Sequence, residues 1–255
     1  MAQRLRVDRD ERGCLTLWLD RVDKRNALDE QFLTELLAAS QLASSEHHVR
    51  VVILRSSSGV FCAGADLNEW VDVSPAEASR LSLLGSRTFQ SIVDIPVPVI
   101  AAIEGAALGG GLELAMACDI RMGTPECAVG YPEARLGNSP GWGGIGRLVE
   151  ALGKAQARHL LLTGDIISGV EAFRVGILQR ISNRNEFQRG LDSLVASILA
   201  CDKSTLAFIK ELFGQPSQII AAHEAAIAGF TATRQESRDR KQSFLASRRK
   251  KGSLV

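Results

Sequence analysis

Three features of this sequence predict an α/β fold. Apolar, β-branched runs alternate with segments of helical periodicity as far as about residue 195. Helix-start and helix-stop signals punctuate those segments. Beyond Asn185 the strand signal ends and only helical patterns follow. At 255 residues, 45% hydrophobic and 23% charged, the composition is that of a soluble globular protein with ample material for a core. The expected organisation is a core over residues 1–195 and a helical region over 196–255. So short a tail can hardly build its own core, so it should pack on the rest or on other subunits.

The elements follow in order. Cys14–Leu19 alternates like a strand packed on one face, and the residues after Asp29 have helical spacing at Phe32, Leu33, Leu36 and Leu37. Val49–Arg55 reads as a buried strand. Ser74-Pro75-Ala76-Glu77 is a capping box with proline at the first helical position, opening a helix to about Val93. Pro96 and Pro98 end it, and Val97–Ile103 is a second buried strand. Gly110–Cys118 is helical, Ala128–Tyr131 a short strand, and Gly141–Leu152 a further helix. Ser168-Gly169-Val170-Glu171 is another capping box, with Gly176 as its stop and Ile177–Ile181 as the next strand. Leu191–Leu199, Leu206–Phe213, Ile219–Phe230 and a segment near Phe244 read as helices.

Charge and cysteine usage exclude several classes. The net charge of +1 argues against a wholly basic nucleic-acid binder. The segment Arg234–Lys251 nevertheless carries eight basic against two acidic residues, which is +6 and leaves −5 for the rest. That run is a solvated helical face, a set of contacts to substrate phosphates, or an RNA-binding patch. The five cysteines show no metal-type spacing and suit a reducing compartment, so a cytoplasmic location is expected. Met1–Gly13 has no apolar core, so it reads as neither signal nor transit peptide. Ile95–Cys118 contains Glu104, Glu113, two prolines and four glycines, so it reads as a buried strand–turn–helix, not a membrane span.

Two small-residue turns carry the chemistry. Gly109–Glu113 bares backbone at the start of a helix, and Ala63–Asp66 makes a turn after a buried strand. Each can aim an N–H at one point, which makes an oxyanion hole. Glu113 and Glu133 add two carboxylates able to move protons. Asp66 reads chiefly as a support for its own turn. The four histidines form no Ser/His/Asp arrangement. Gly141–Gly146 matches G-x-G-x-x-G letter for letter, yet Pro140 precedes it where a dinucleotide site needs a strand.

These motifs resemble the crotonase, or enoyl-CoA hydratase/isomerase, superfamily over nearly the whole chain. Lys24–Leu28 is similar to its CoA-contacting turn, and Phe61–Leu67 to its A-G-A-D turn. Ala106–Asp119 matches its G-x-A-x-G-G-G-x-E stretch, and Pro132–Gly144 its P-E…P-G-x-G-G stretch. The resemblance implies a spiral of β-β-α units with a C-terminal helical oligomerisation region, assembled as a homotrimer or a dimer of trimers. It implies that Ala65 and Gly110 supply the oxyanion N–H groups, that Glu113 and Glu133 are a hydratase pair, and that Gly141 holds the reacting water. It implies substrate contacts at Lys24, Arg25, Ala27, Ala63, Asp66, Leu67, Trp142, Phe244 and Arg248. Coenzyme A arrives with the acyl-CoA substrate, so no separate cofactor, metal or membrane is expected. Trp142 and Tyr131 stand where smaller side chains are frequent, and Ser247 where a CoA-contacting lysine is frequent. The activity implied is hydration of a 2-enoyl-CoA, the acid and base roles of the two glutamates being open. The alternatives are an isomerase or a hydratase/lyase of the same superfamily, or such a protein binding RNA through its basic tail.

Overall fold

The computed structural model describes residues 4–213, Gly229, Thr233 and 235–252. The first strands are β1 (Leu5–Arg9) and β2 (Cys14–Leu19), followed by α1 (Glu30–Ser45), β3 (Val51–Ser56), α2 (Pro75–Val93) and β4 (Val99–Ile103). Then come β5 (Ala107–Leu108), α3 (Gly110–Met116), β6 (Ile120–Gly123), β7 (Ala128–Gly130) and α4 (Gly144–Thr163). The series continues with β8 (Ile166–Ser168), α5 (Gly169–Val175), β9 (Arg180–Ile181), α6 (Phe187–Leu199) and α7 (Lys203–Phe213). A C-terminal helix spans Gln235–Gly252. The helix expected over 219–230 lies outside the described residues, apart from Gly229.

The two serine caps read from sequence are the ones the structure uses, and it adds one at Asp29. Asp29 caps α1 by accepting from the Phe32 N–H, Ser74 caps α2 through the Glu77 N–H, and Ser168 caps α5 through the Glu171 N–H. Gly176 ends α5 in the left-handed region. α4 runs past Leu152 to Thr163, broken at Gly153, where the backbone leaves the helical region.

Six strands form the main sheet in the order β1-β2-β3-β4-β6-β9, antiparallel only between β1 and β2. Its interior strands are covered on both faces, which is why they read as near-continuous apolar runs. Val52 and Leu54 face the larger core, with Phe32, Leu36 and Phe89 from α1 and α2. Val51 and Ile53, one residue out of phase, face Leu191, Leu194 and Ile198 of α6. A smaller sheet, β5-β7-β8, stands beside it. α7 docks onto the core through Lys210, whose Nζ meets Asp119 at 2.6 Å and the Val97 carbonyl at 3.0 Å. Cys14, Cys62, Cys118 and Cys127 are buried free thiols, and Cys201 is exposed. Among the described residues no helix is long and apolar enough to cross a membrane.

Candidate active site

The two turns are zipped side by side. The Cys62 N–H donates to the Ala106 carbonyl and the Leu108 N–H to the Cys62 carbonyl, both at 3.0 Å. On the outer side of the first turn, the Leu28 N–H donates to Gly64 and the Asp66 N–H to Leu28. In extended backbone, alternate N–H groups point to opposite sides, so the Ala65 N–H faces away from Leu28. Gly110 is the first residue of α3, where an N–H has no partner within the helix. The two turns touch at Gly64, which has φ +97°. A side chain there would press to 2.8 Å from the Leu108 carbonyl and 3.4 Å from the Gly110 nitrogen. Gly109 also adopts positive φ, and its N–H bonds to the Gly130 carbonyl at 2.9 Å. This bond ties the start of α3 to β7, the strand that leads into Glu133.

Asn26 fixes a third turn against this pair. Its amide nitrogen donates to Ser56 Oγ and to the Val60 and Phe61 carbonyls at 2.8–3.0 Å, and its oxygen accepts the Arg21 N–H. The Ala63 N–H donates to the Arg25 carbonyl, so Lys24–Ala27 runs beside the first turn. Asp66 accepts two bonds from Asn68 and an ion pair from Arg21 at 2.9 Å. Burial alone would raise this carboxyl, but those partners outweigh it and hold it below the usual carboxylate range. Its contacts are those of a turn support.

Glu113 is buried on α3, and its Oε1 accepts N–H bonds from Trp142 at 2.8 Å and Gly144 at 2.9 Å. The glycine-rich run Gly141–Gly146 therefore caps a carboxylate and opens α4. No strand leads into it; the short helical turn Pro132–Leu136 and a loop do. Gly141 is itself held through its carbonyl by the Ser82 and Ser86 hydroxyls. Glu133 lies against Gly109, close enough that a side chain there would stand 2.8 Å from Oε1. Its Oε2 is sealed from solvent with no hydrogen-bond partner. Burial first, and then the neighbouring Glu113 charge, push Glu133 up to about 8.

Lys24, Arg25, Ala27, Ala63, Ala65, Asp66, Leu67, Gly110, Glu113, Glu133, Gly141 and Trp142 all line one cavity of about 870 Å³. The side chains of Phe244 and Arg248 lie outside the described residues. The structure adds residues that sequence reasoning missed. Trp70 and Ser139 line the same space, as do Asp239, Lys241, Ser243 and Leu245 of the C-terminal helix. Trp70 follows the A-G-A-D turn closely, so a turn-proximal aromatic was the available signal. Lys241 sits in a run of solvated-looking cations and gave none.

Trp142 is 2% exposed, with its ring edge-to-face on Phe89 at 5.4 Å and near Trp70 at 6.4 Å. It fills the space left by two glycines, since a side chain at Gly85 or Gly110 would collide with the indole at 2.4 and 2.2 Å. The ring thus backs Gly110 while the Trp142 backbone N–H holds Glu113. Trp142→Ala should empty that slot and cost about 3–5 kcal/mol of stability, read as a lower urea midpoint at unchanged slope. An unchanged midpoint would show that the indole carries no packing load.

The matched family model, enoyl-CoA hydratase/isomerase, spans residues 9–251, and the chain belongs to that family. A mitochondrial methylglutaconyl-CoA hydratase of Mus musculus is 33% identical over 256 residues, covering 96% of this chain and 80% of that protein. A crotonyl-CoA hydratase of Syntrophomonas wolfei is 32% identical over 244 residues, covering 94% of each. Among solved structures, an enoyl-CoA hydratase of Mycobacterium smegmatis superposes with a TM-score of 0.81 at 28% identity, covering 90% of each chain. One from Bacillus halodurans reaches 0.88 at 23% identity, covering 94% of this chain and all of that one, a likeness of fold.

Proposed function

We propose that this chain is an enoyl-CoA hydratase that adds water across the 2,3 double bond of an acyl-CoA thioester. The observation that carries the reading is the pair of unlike carboxylates at one oxyanion turn. Glu113 Oε1 receives two backbone N–H bonds, an arrangement suited to an ionised carboxylate. Glu133, raised to about 8, holds its proton at neutral pH. Glu113 then takes a proton from water as its oxygen attacks C3. The electron pair moves to the thioester oxygen, where the Ala65 and Gly110 N–H groups and the N-terminal end of α3 receive the charge. Glu133 delivers its proton to C2, and the proton on Glu113 returns to Glu133 to close the cycle. Gly141 is assigned to the attacking water, and the Lys24–Ala27 turn to the coenzyme A portion.

Loss of the enoyl thioester absorbance, followed with crotonyl-CoA, tests the reaction. The pH profile tests the roles. Because Glu133 must be protonated, kcat/KM, which follows the free enzyme, should fall about tenfold per unit as pH rises above about 8. The same limb should vanish in the residual activity of Glu133→Gln. A profile still flat at pH 9.5 (on the order of one and a half units past that value) would remove Glu133 as the acid. The names of the relatives differ in acyl group, so a screen of short, long, branched and aromatic enoyl-CoA thioesters assigns the substrate. We further infer assembly into trimers, supported by the exposed apolar side chains of Leu162, Val170 and Phe173. Light scattering that finds a monomer would refute it.

A further inference from the structure

The cavity wall carries a cation that the hydration chemistry does not use. Lys241 is fully buried on the C-terminal helix, and its Nζ donates to the Trp70 carbonyl at 3.2 Å. Two relations place it near the reacting groups. The Trp70 ring packs on Trp142, whose indole backs Gly110. The C-terminal helix itself packs on the Pro132–Leu136 turn that carries Glu133. The Lys24–Ala27 turn is joined elsewhere, through the bond from Ala63 to Arg25.

We propose that Lys241 is a specificity-determining residue that receives an anionic group at the far end of the acyl chain, so that the preferred substrates are enoyl-CoA thioesters bearing a second carboxylate. The proposal rests on the cavity being an acyl-CoA site. An ammonium–carboxylate bond is charge-assisted and strongest where water is excluded. The two indoles, inclined at 61° to one another, offer apolar surface for the intervening carbons. Burial, followed by the Arg238 charge one turn earlier, pushes Lys241 down to about 8, and a bound carboxylate would reverse that shift.

Calorimetric titration with saturated thioesters, which cannot be hydrated, separates this proposal from the reaction itself. Glutaryl-CoA, butyryl-CoA and CoA alone are titrated into the wild type, Lys241→Met and Lys241→Arg. The wild type should bind glutaryl-CoA at least about tenfold more tightly than butyryl-CoA, and Lys241→Met should reduce that ratio about 10- to 100-fold. Lys241→Arg should restore part of it, and melting curves confirm that each variant is folded. Equal wild-type affinities overturn the proposal. So does an equal weakening of all three ligands in Lys241→Met, which would assign the amine to coenzyme A phosphate. A preference for glutaryl-CoA without hydration of any enoyl-CoA would uphold Lys241 and defeat the hydratase reading. Failure of every thioester to bind defeats both.

Discussion

Glu113→Gln and Glu133→Gln should each lower the kcat for hydration by about 10²- to 10⁴-fold or more, with smaller changes in KM. The amide keeps size but cannot accept or release the proton in the required way. At position 113 the substitution also sets an NH₂ beside two N–H donors if the nitrogen takes the place of Oε1, so that group must turn over to keep both bonds. At position 133 the substitution removes the carboxyl that burial and the Glu113 charge keep protonated. The double variant should be little worse than either single one, because the two groups act as a unit. Near-normal hydration in either single variant would end the paired-carboxylate mechanism. Loss of hydration with retained double-bond migration in Glu113→Gln would favour a one-acid isomerase instead.

Ala65→Pro is expected to cost about 10²- to 10³-fold in kcat, the usual consequence of deleting one oxyanion donor. The bonds flanking Ala65 come from Leu28 and Asp66, so its own N–H is not needed for the turn. The proline ring disfavours some conformations of the preceding residue, here Gly64 at φ +97°. Circular dichroism and the urea midpoint therefore accompany the rate. A folded Ala65→Pro protein with unchanged kcat would show that the thioester oxygen is held elsewhere.

Legibility in the sequence followed the range of the interaction. Capping at Ser74 and Ser168 is local, so four residues suffice to announce a helix start. The strands β3 and β4 are buried on both faces and read directly as apolar runs. β1 was missed because Arg6, Asp8 and Arg9 point outward from an edge strand, leaving little alternation to see. β5 and β8 are only two and three residues long and owe their conformation to pairing with β7. Ile177–Ile181 shrank to Arg180–Ile181, because burial of Ile177 and Leu178 does not require ladder pairing. In the site, the two turns and two glutamates were visible as motifs. The double role of Trp142 was not, because its ring depends on Gly85 and its N–H on Glu113, neither adjacent in the chain. Lys241 was hidden for the same reason, its partner lying in a different part of the sequence.

The bond from Lys241 to Trp70 spans 171 positions of the chain, and it bears on how the protein reaches its working shape. The cavity wall is made of segments near residue 24, near 65 and near 110–142, closed by a helix that the ribosome makes after all of them. Contacts so distant in sequence form late, once the loop entropy between them has been overcome. A nascent chain can thus complete its sheet and the paired turns at Ala63–Asp66 and Gly109–Glu113 while one side of the pocket is still open to water. Gain of ligand binding should accordingly lag behind gain of secondary structure during refolding, a delay visible in stopped-flow mixing as two separate time courses.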